Sequence, residues 1–214
     1  MERELIWMRP EKAATGRPAG HSRAEITTAA IRLADRDGLA GVSMRNVAGE
    51  LGTGAGTLYR YVLDRDDLLD LMADEVAAEY DLDPPTGDWQ ADLVAFGLQA
   101  REIHRRHPWL AELVLTRPVT GPHGIDATEH VLAVLADHPA PDSDKLVALA
   151  MLTAVVAAAS RSEASAVDAL RSARYVGHVA AQGNHPHLAA LRVDPAPGDP
   201  LPDALRKIVS GLLG

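Results

Sequence analysis

Hydrophobic positions recur at helical spacing along most of this 214-residue chain. Ile26, Ala29, Ala30, Leu33 and Ala34 mark one face of a first helix. Ser22 and Glu25 stand at capping-box spacing at its start, and Gly38 supplies a stop. Ser43 caps a short second helix whose inner face is Met44, Val47, Ala48 and Leu51. Leu58 and Val62 carry a third stripe, and Asp64 opens a fourth helix lined by Leu68, Leu71, Met72 and Val76. The segment DLDPPTGD at 81–88 breaks the pattern with two prolines and a glycine. Beyond it the spacing predicts helices at 89–107, 108–116, 124–137, 143–162, 165–181 and 202–213. Pro108, RPVTGPHG, HPAPDSD and the Pro-rich 194–202 stretch separate them. No segment sustains a period of two, so no strand is predicted. An all-α chain follows, with a flexible arm at 1–21, a small helical unit at 22–80 and a larger one at 88–214.

Composition narrows the chemistry. The chain has no cysteine, which excludes disulfides, thiolate catalysis and cysteine-ligated zinc. Its start, MERELIWMRP, is too charged for a secretory signal. The longest nearly apolar run, 146–159, is shorter than a bilayer requires. These features predict a soluble, cytoplasmic protein with no membrane partner. The net charge of −9 argues against nucleic acid until it is divided. Residues 1–65 hold 10 Lys and Arg against 8 Asp and Glu, whereas residues 66–214 hold 11 against 22. A mildly basic N-terminal module on an acidic body fits a DNA contact confined to one end.

The stretch GTGAGTLYRY at 52–61 admits three readings. A phosphate-cradling loop needs a preceding strand, and SMRNVAGEL before it is helix-patterned. A purely structural hairpin accounts for Gly52 as the turn, Thr53 as a cap and Leu58 as a core residue. It leaves unexplained why the outward side of so short a helix carries Thr57, Tyr59, Arg60 and Tyr61, side chains suited to phosphates and base edges. The third reading is a helix-turn-helix. The segment from Ile26 to Met72, ITTAAIRLADRDGLAGVSMRNVAGELGTGAGTLYRYVLDRDDLLDLM, resembles the N-terminal domain of the TetR family of transcriptional regulators. SMRNVAGELG matches the second helix and turn, TLYRYV the recognition helix and DRDDLL the opening of helix four.

The resemblance implies an N-terminal three-helix helix-turn-helix DNA-binding domain and a C-terminal helical domain for ligand binding and dimerisation. It places Thr53, Ala55, Gly56, Thr57, Tyr59, Arg60 and Tyr61 at or near DNA. Arg45 and Arg65 become phosphate contacts. Gly54, Ala55 and Gly56 leave the front of the recognition helix nearly bare, so base reading falls mainly on Thr57 and Arg60, with Tyr61 as a third candidate. Arg9, Lys12, Arg17 and Arg23 belong either to a disordered tail or to an arm that reaches an adjacent minor groove. The expected partner is a pseudo-palindromic double-stranded operator, with half-sites about 34–36 Å apart.

The family resemblance extends to the C-terminal half, where HPWLAELVLTRPVTGPHG is similar to the tetracycline-repressor type, including the turn Thr116-Arg117-Pro118. In that group a metal-binding His precedes the Thr by three residues. Leu113 stands there in this chain, so neither a metal nor any other cofactor is predicted. Arg101, His104, Trp109, Leu113, His130, Met151 and Tyr175 are the candidates to line a site for a small-molecule effector of unknown identity. A homodimer is implied, with Leu205, Ile208, Val209 and Leu212 of the last helix at the interface beside 143–162; packing within one subunit explains the same stripe. A helical enzyme using the histidines is the rival, but no acid/base pair has diagnostic spacing. A DNA-binding protein without a small-molecule effector is the remaining alternative.

Overall fold

The computed structural model of the chain describes residues 4–9, 20–164, 166–191 and 198–214. Lys12 and Arg17 lie outside the described residues. The described residues contain helices and no strand. They are α1 (Arg23–Asp37), α2 (Met44–Glu50), α3 (Ala55–Leu58), α4 (Arg65–Ala77), α5 (Trp89–Arg106), α6 (Leu110–Leu113), α7 (Pro122–Val134), α8 (Asp142–Ala164), α9 (Ala166–Ala180), α10 (Pro186–Ala190) and α11 (Leu201–Leu213).

Local chemistry sets the first boundaries. At α1 the capping box is complete: the Ser22 hydroxyl accepts from the Glu25 amide, and the Glu25 carboxylate accepts from the Ser22 amide at 2.8 Å. The Asn46 amide donates to the Ser43 hydroxyl at 3.1 Å, and the Asp67 amide donates to the Asp64 carboxylate at 3.0 Å. Gly52 turns the chain from α2 to α3 at φ +64°, a conformation that side chains resist. The cap expected at Thr53 is absent. Gly54 occupies that position, and Thr53 hydrogen-bonds the Thr57 hydroxyl at 3.2 Å instead.

Two apolar clusters form the interior. One holds α1 to α4 together and takes in Ile103, Trp109, Leu110 and Leu113 from the end of α5 and from α6. The other packs α5, α7, α8 and α11 around Leu93, Phe96, Leu152, Val156, Leu205 and Val209. The break at 81–88 thus separates two units in sequence, while the end of α5 and α6 are rooted in the first core.

Three expectations are corrected here. The arm at 1–21 is not free throughout: Ile6–Met8 forms a 3-10 turn, and Ile6 is fully buried in the N-terminal core. Leu205 and Val209 are fully buried within their own subunit, which removes them from any interface. Ile208 is half-buried and Leu212 exposed on the other side of α11. Finally, Asp142–Glu163 has the length and hydropathy of a membrane span, longer than the 146–159 run suggested. Its Ala148, Leu152 and Val156 row is buried, α8 packs against α5 and α11, and 33 % of the apolar window lies in the core.

Candidate DNA interface and effector cavity

α3 is one helical turn long, and helical hydrogen bonding continues past it from the Tyr61 and Val62 amides to the Leu58 carbonyl. Leu58 and Val62 anchor this unit in the core, which sets the angle at which its other side faces solvent. That side carries Gly56, Thr57, Tyr59 and Arg60, with Tyr59 half exposed and Arg60 exposed, whereas Ala55 is partly buried against the N-terminal core. A Cβ built on Gly54 or Gly56 meets nothing within 4 Å, so the front of the helix offers backbone and open space. Arg45 on α2 is exposed on the same module.

Two members of the expected set do other work. Tyr61 is only 8 % exposed and packs in the N-terminal core, so its ring supports the helix instead of facing DNA. Arg65 donates from Nε to the Val42 carbonyl at 2.8 Å and from Nη2 to the Leu39 carbonyl at 2.7 Å. It clamps the turn before α2 onto α4, with two of its donors committed.

Behind α4 lies a cavity of about 540 Å³. Ala73 and Ala77 of α4 form one wall, and Phe96, Ala100 and His104 of α5 form a second, at i, i+4 and i+8. The stretch 114–119, with Gly124, Ala127 and Thr128 of α7 and Leu152, Thr153 and Val156 of α8, completes it. Tyr80 and Phe96 stack with ring centroids 4.6 Å apart and planes within 7°. Burial raises the Tyr80 phenol well above its ordinary pKa.

Burial also pushes His104 down to about 4, so the imidazole is neutral at physiological pH. Its Nδ1 lies 3.2 Å from the Ser160 hydroxyl, which itself donates to the Val156 carbonyl at 2.9 Å. Ser160 therefore accepts from Nδ1–H, and Nε2 is left as an acceptor on the cavity wall. Thr116, Thr128, Thr153 and Arg117 add polar atoms to a lining that is otherwise apolar.

Of the seven effector-site candidates, only His104 lines this cavity. Arg101 is buried and paired with Asp199, whose carboxylate is held below its usual pKa by the Leu201 amide and then by Arg101. The Trp109 indole donates to Asp35 at 2.7 Å, and Leu113 is buried in the N-terminal core. His130 stacks behind Phe96 at 6.1 Å, outside the lining. Met151 faces outward from α8, and Tyr175 is 68 % exposed on α9. Sequence reasoning missed Phe96, although it is the only phenylalanine in the chain and sits two helical turns before His104 on the same row. The Ala73–Ala77 pair gave a weaker signal, small residues where a core helix ordinarily carries large ones.

The cavity wall is bonded to α4. Arg117 donates from Nη1 to Asp70 at 2.6 Å and from Nη2 to Asp66 at 2.9 Å. Asp74, 3 % exposed, accepts from the Gly124 amide at 2.9 Å and so caps α7 from a different helix. Gly121 at that N-terminus has no room for a side chain: a Cβ there would collide with the Asp74 carboxylate and lie 2.5 Å from the Trp7 Cζ2.

Comparison with known proteins assigns both halves. Residues 26–72 match the family described as bacterial regulatory proteins, tetR family, and residues 83–199 match the tetracyclin repressor-like C-terminal domain. The chain is a TetR-family transcriptional regulator. The HTH-type transcriptional repressor DrrR1 of Streptomyces coeruleorubidus is 35 % identical over 205 residues, covering 89 % of this chain and 76 % of that protein. An HTH-type transcriptional regulator of Saccharopolyspora erythraea is 40 % identical over 132 residues, 61 % of this chain and 56 % of the relative. Among solved structures, apo ActR of Streptomyces coelicolor superposes with a TM-score of 0.78 at 27 % identity, covering 91 % of this chain and 95 % of ActR. ActR is also solved in complex with actinorhodin, at TM-score 0.75 and 25 % identity, covering 90 % of this chain and 95 % of that one. This TetR-family protein is therefore a DNA-binding regulator and not an enzyme, with its helix-turn-helix in α2 and α3 and its tetracyclin repressor-like C-terminal domain over residues 83–199.

With Tyr61 in the core, Arg60 and Thr57 are left as the candidates for base discrimination. Arg60→Ala is expected to lower the ratio of operator to scrambled-duplex affinity by about 1–3 kcal/mol, read by fluorescence anisotropy titration. Unchanged discrimination would remove Arg60 from base reading. His104 generates a pH prediction. Above pH 6.5 the imidazole is neutral both folded and unfolded. As pH falls from 6.5 towards 4, the unfolded chain binds a proton that the folded chain refuses, so stability declines by up to about 1.4 kcal/mol per pH unit. Urea unfolding at pH 7 and pH 5 should show a smaller decline for His104→Gln than for the wild type.

Proposed function

We propose that the protein is a homodimeric repressor that binds a pseudo-palindromic operator and leaves it when a small molecule fills the cavity behind α4. One observation carries this reading: the wall of the cavity and the support of the recognition helix are the same helix. Arg117 and Gly124 belong to the lining and are hydrogen-bonded to Asp66, Asp70 and Asp74 of α4. The first turn of α4 carries Arg65 and Asp67, which hold the turns on either side of the helix-turn-helix. A ligand that displaces the 116–124 wall acts on α4, and its differential affinity for the two arrangements limits how far it shifts DNA binding.

The cavity favours a flat, largely apolar molecule with hydrogen-bonding groups at its edge. The stacked Phe96 and Tyr80 suit a ring system, the neutral His104 accepts from a hydroxyl or N–H, and 540 Å³ falls within the range of small-molecule sites. That ActR is solved with actinorhodin supports a ligand of this kind. A regulator without an effector would have no use for such a space, so the cavity favours the ligand-responsive reading. Dimerisation is supported by the outer face of α8, where Leu146, Val147 and Met151 are about half exposed, and by Leu212 on the adjacent α11. Two copies meeting there would set the spacing of the recognition helices. Operator binding places the protein in the cytoplasm.

The test uses a duplex enriched by the full-length protein from a random pool, with actinorhodin as the probe ligand. The wild type should sediment as a dimer, bind that duplex and release it as actinorhodin saturates. Val147→Glu combined with Met151→Glu should sediment as a folded monomer and bind the operator at least about tenfold more weakly, because each half-site then binds alone. A monomeric wild type that binds the operator normally would overturn the dimer.

A further inference from the structure

The sequence leaves the N-terminal segment as either a free tail or an arm that reaches for DNA, and residues 5–9 are neither. Ile6 is fully buried in the core formed by α1 to α4, and Trp7 is half-buried against it. The Trp7 ring occupies the space beside Gly121, which lies in the chain between Val119 and Gly124 of the cavity lining. The Arg9 guanidinium meets the Asp67 carboxylate at 2.5 Å, and Asp67 is 1 % exposed. The same carboxylate oxygen accepts the Leu63 amide at 2.7 Å, in the turn that leaves the recognition helix. Arg23 of α1 completes the arrangement, donating to the Arg9 carbonyl at 3.0 Å and to the Tyr61 carbonyl at 3.1 Å.

A carboxylate buried as deeply as Asp67 is costly unless it is paired with a cation and hydrogen-bonded. Arg9 supplies the charge and the Leu63 amide a hydrogen bond, so the position of the recognition-helix exit depends on residue 9. We infer that Leu5–Arg9 is a strap that positions the recognition helix: Arg9 fixes the exit turn at 61–63 through Asp67 and Arg23, while Trp7 keys the same segment against the chain at Gly121. This rests on the DNA-binding reading above. Arg9 then acts on operator affinity through geometry and makes no phosphate contact of its own.

Salt dependence separates the strap from a DNA-contacting arm, because neutralising one phosphate fewer makes the slope of log affinity against log salt shallower by about 0.9. The measurement is binding of the full-length protein to the enriched duplex and to its scrambled form across a salt series, for wild type, Arg9→Gln, Arg9→Lys and Trp7→Ala. Melting curves confirm that each variant is folded. Arg9→Gln and Trp7→Ala should weaken operator binding roughly 3- to 30-fold with unchanged salt slope and unchanged scrambled-duplex affinity. Arg9→Lys, which keeps a cation for Asp67, should recover most of that affinity. If Arg9→Gln fails to fold, Arg9→Lys and Trp7→Ala decide the matter. Wild-type affinity in Trp7→Ala overturns the strap, as does a shallower slope in either Arg9 variant. A wild type that enriches no duplex fails at the DNA-binding reading, and the inference falls with it.

Discussion

Three carboxylates spaced four residues apart on α4, Asp66, Asp70 and Asp74, join the two halves of this regulator. Four residues is slightly more than one helical turn, so all three face the same way, towards the chain between α6 and α7. That chain has a charged donor in Arg117 and an uncapped helix start at Gly121, and both find their partners on α4. Asp74 is nearly fully buried, where an unpaired carboxylate is costly, so the contact at Gly124 resists change in small steps. In the proposed mechanism this linkage would carry a displacement of the cavity wall to the helix that supports the DNA-reading module.

The remainder of the architecture follows from this constraint. Ala73 and Ala77 are small residues on α4 beside Asp74, which leaves room for the cavity directly against this helix. Phe96, Ala100 and His104 face them from α5, and the burial that holds His104 neutral spares the cavity wall a charge that would be costly to desolvate. At the other end of α4, Asp64 caps the helix while Arg65 and Asp67 grip the turns flanking the helix-turn-helix. Charge is divided accordingly, with the mildly basic module forward and the acidic body behind, where it discourages DNA from binding anywhere else.

What could be read in the sequence was what is decided locally. Ser22 with Glu25, Ser43 and Asp64 are caps whose chemistry lies within four residues, and all of them form as expected. The helix-turn-helix was legible because its pattern runs in register over Ile26–Met72. Tyr61 was misplaced because its burial depends on how the exit turn folds back onto the core, which helical periodicity does not encode. Leu205 and Val209 share a stripe with the exposed side of α11 only approximately; periodicity gave the stripe but not which neighbour covers it. The cavity draws on five helices and a loop, so its lining is a tertiary fact, and six of the seven proposed residues fell elsewhere. The strap had a faint signal in the apolar run Leu5-Ile6-Trp7-Met8, unusual for a tail that is meant to stay in water.

The central claim is that filling the cavity changes the relation between the two recognition helices through α4. Because the chain has no cysteine and Leu63 is 55 % exposed beside the recognition helix, Leu63→Cys accepts a single spin label per subunit. Pulsed electron–electron distance measurement on the labelled dimer, without ligand and with saturating actinorhodin, reads the separation directly. The account predicts that the ligand moves the distance distribution by roughly 2 Å or more, the scale of a helix shift in switching proteins. Saturable actinorhodin binding with an unchanged distribution would contradict it.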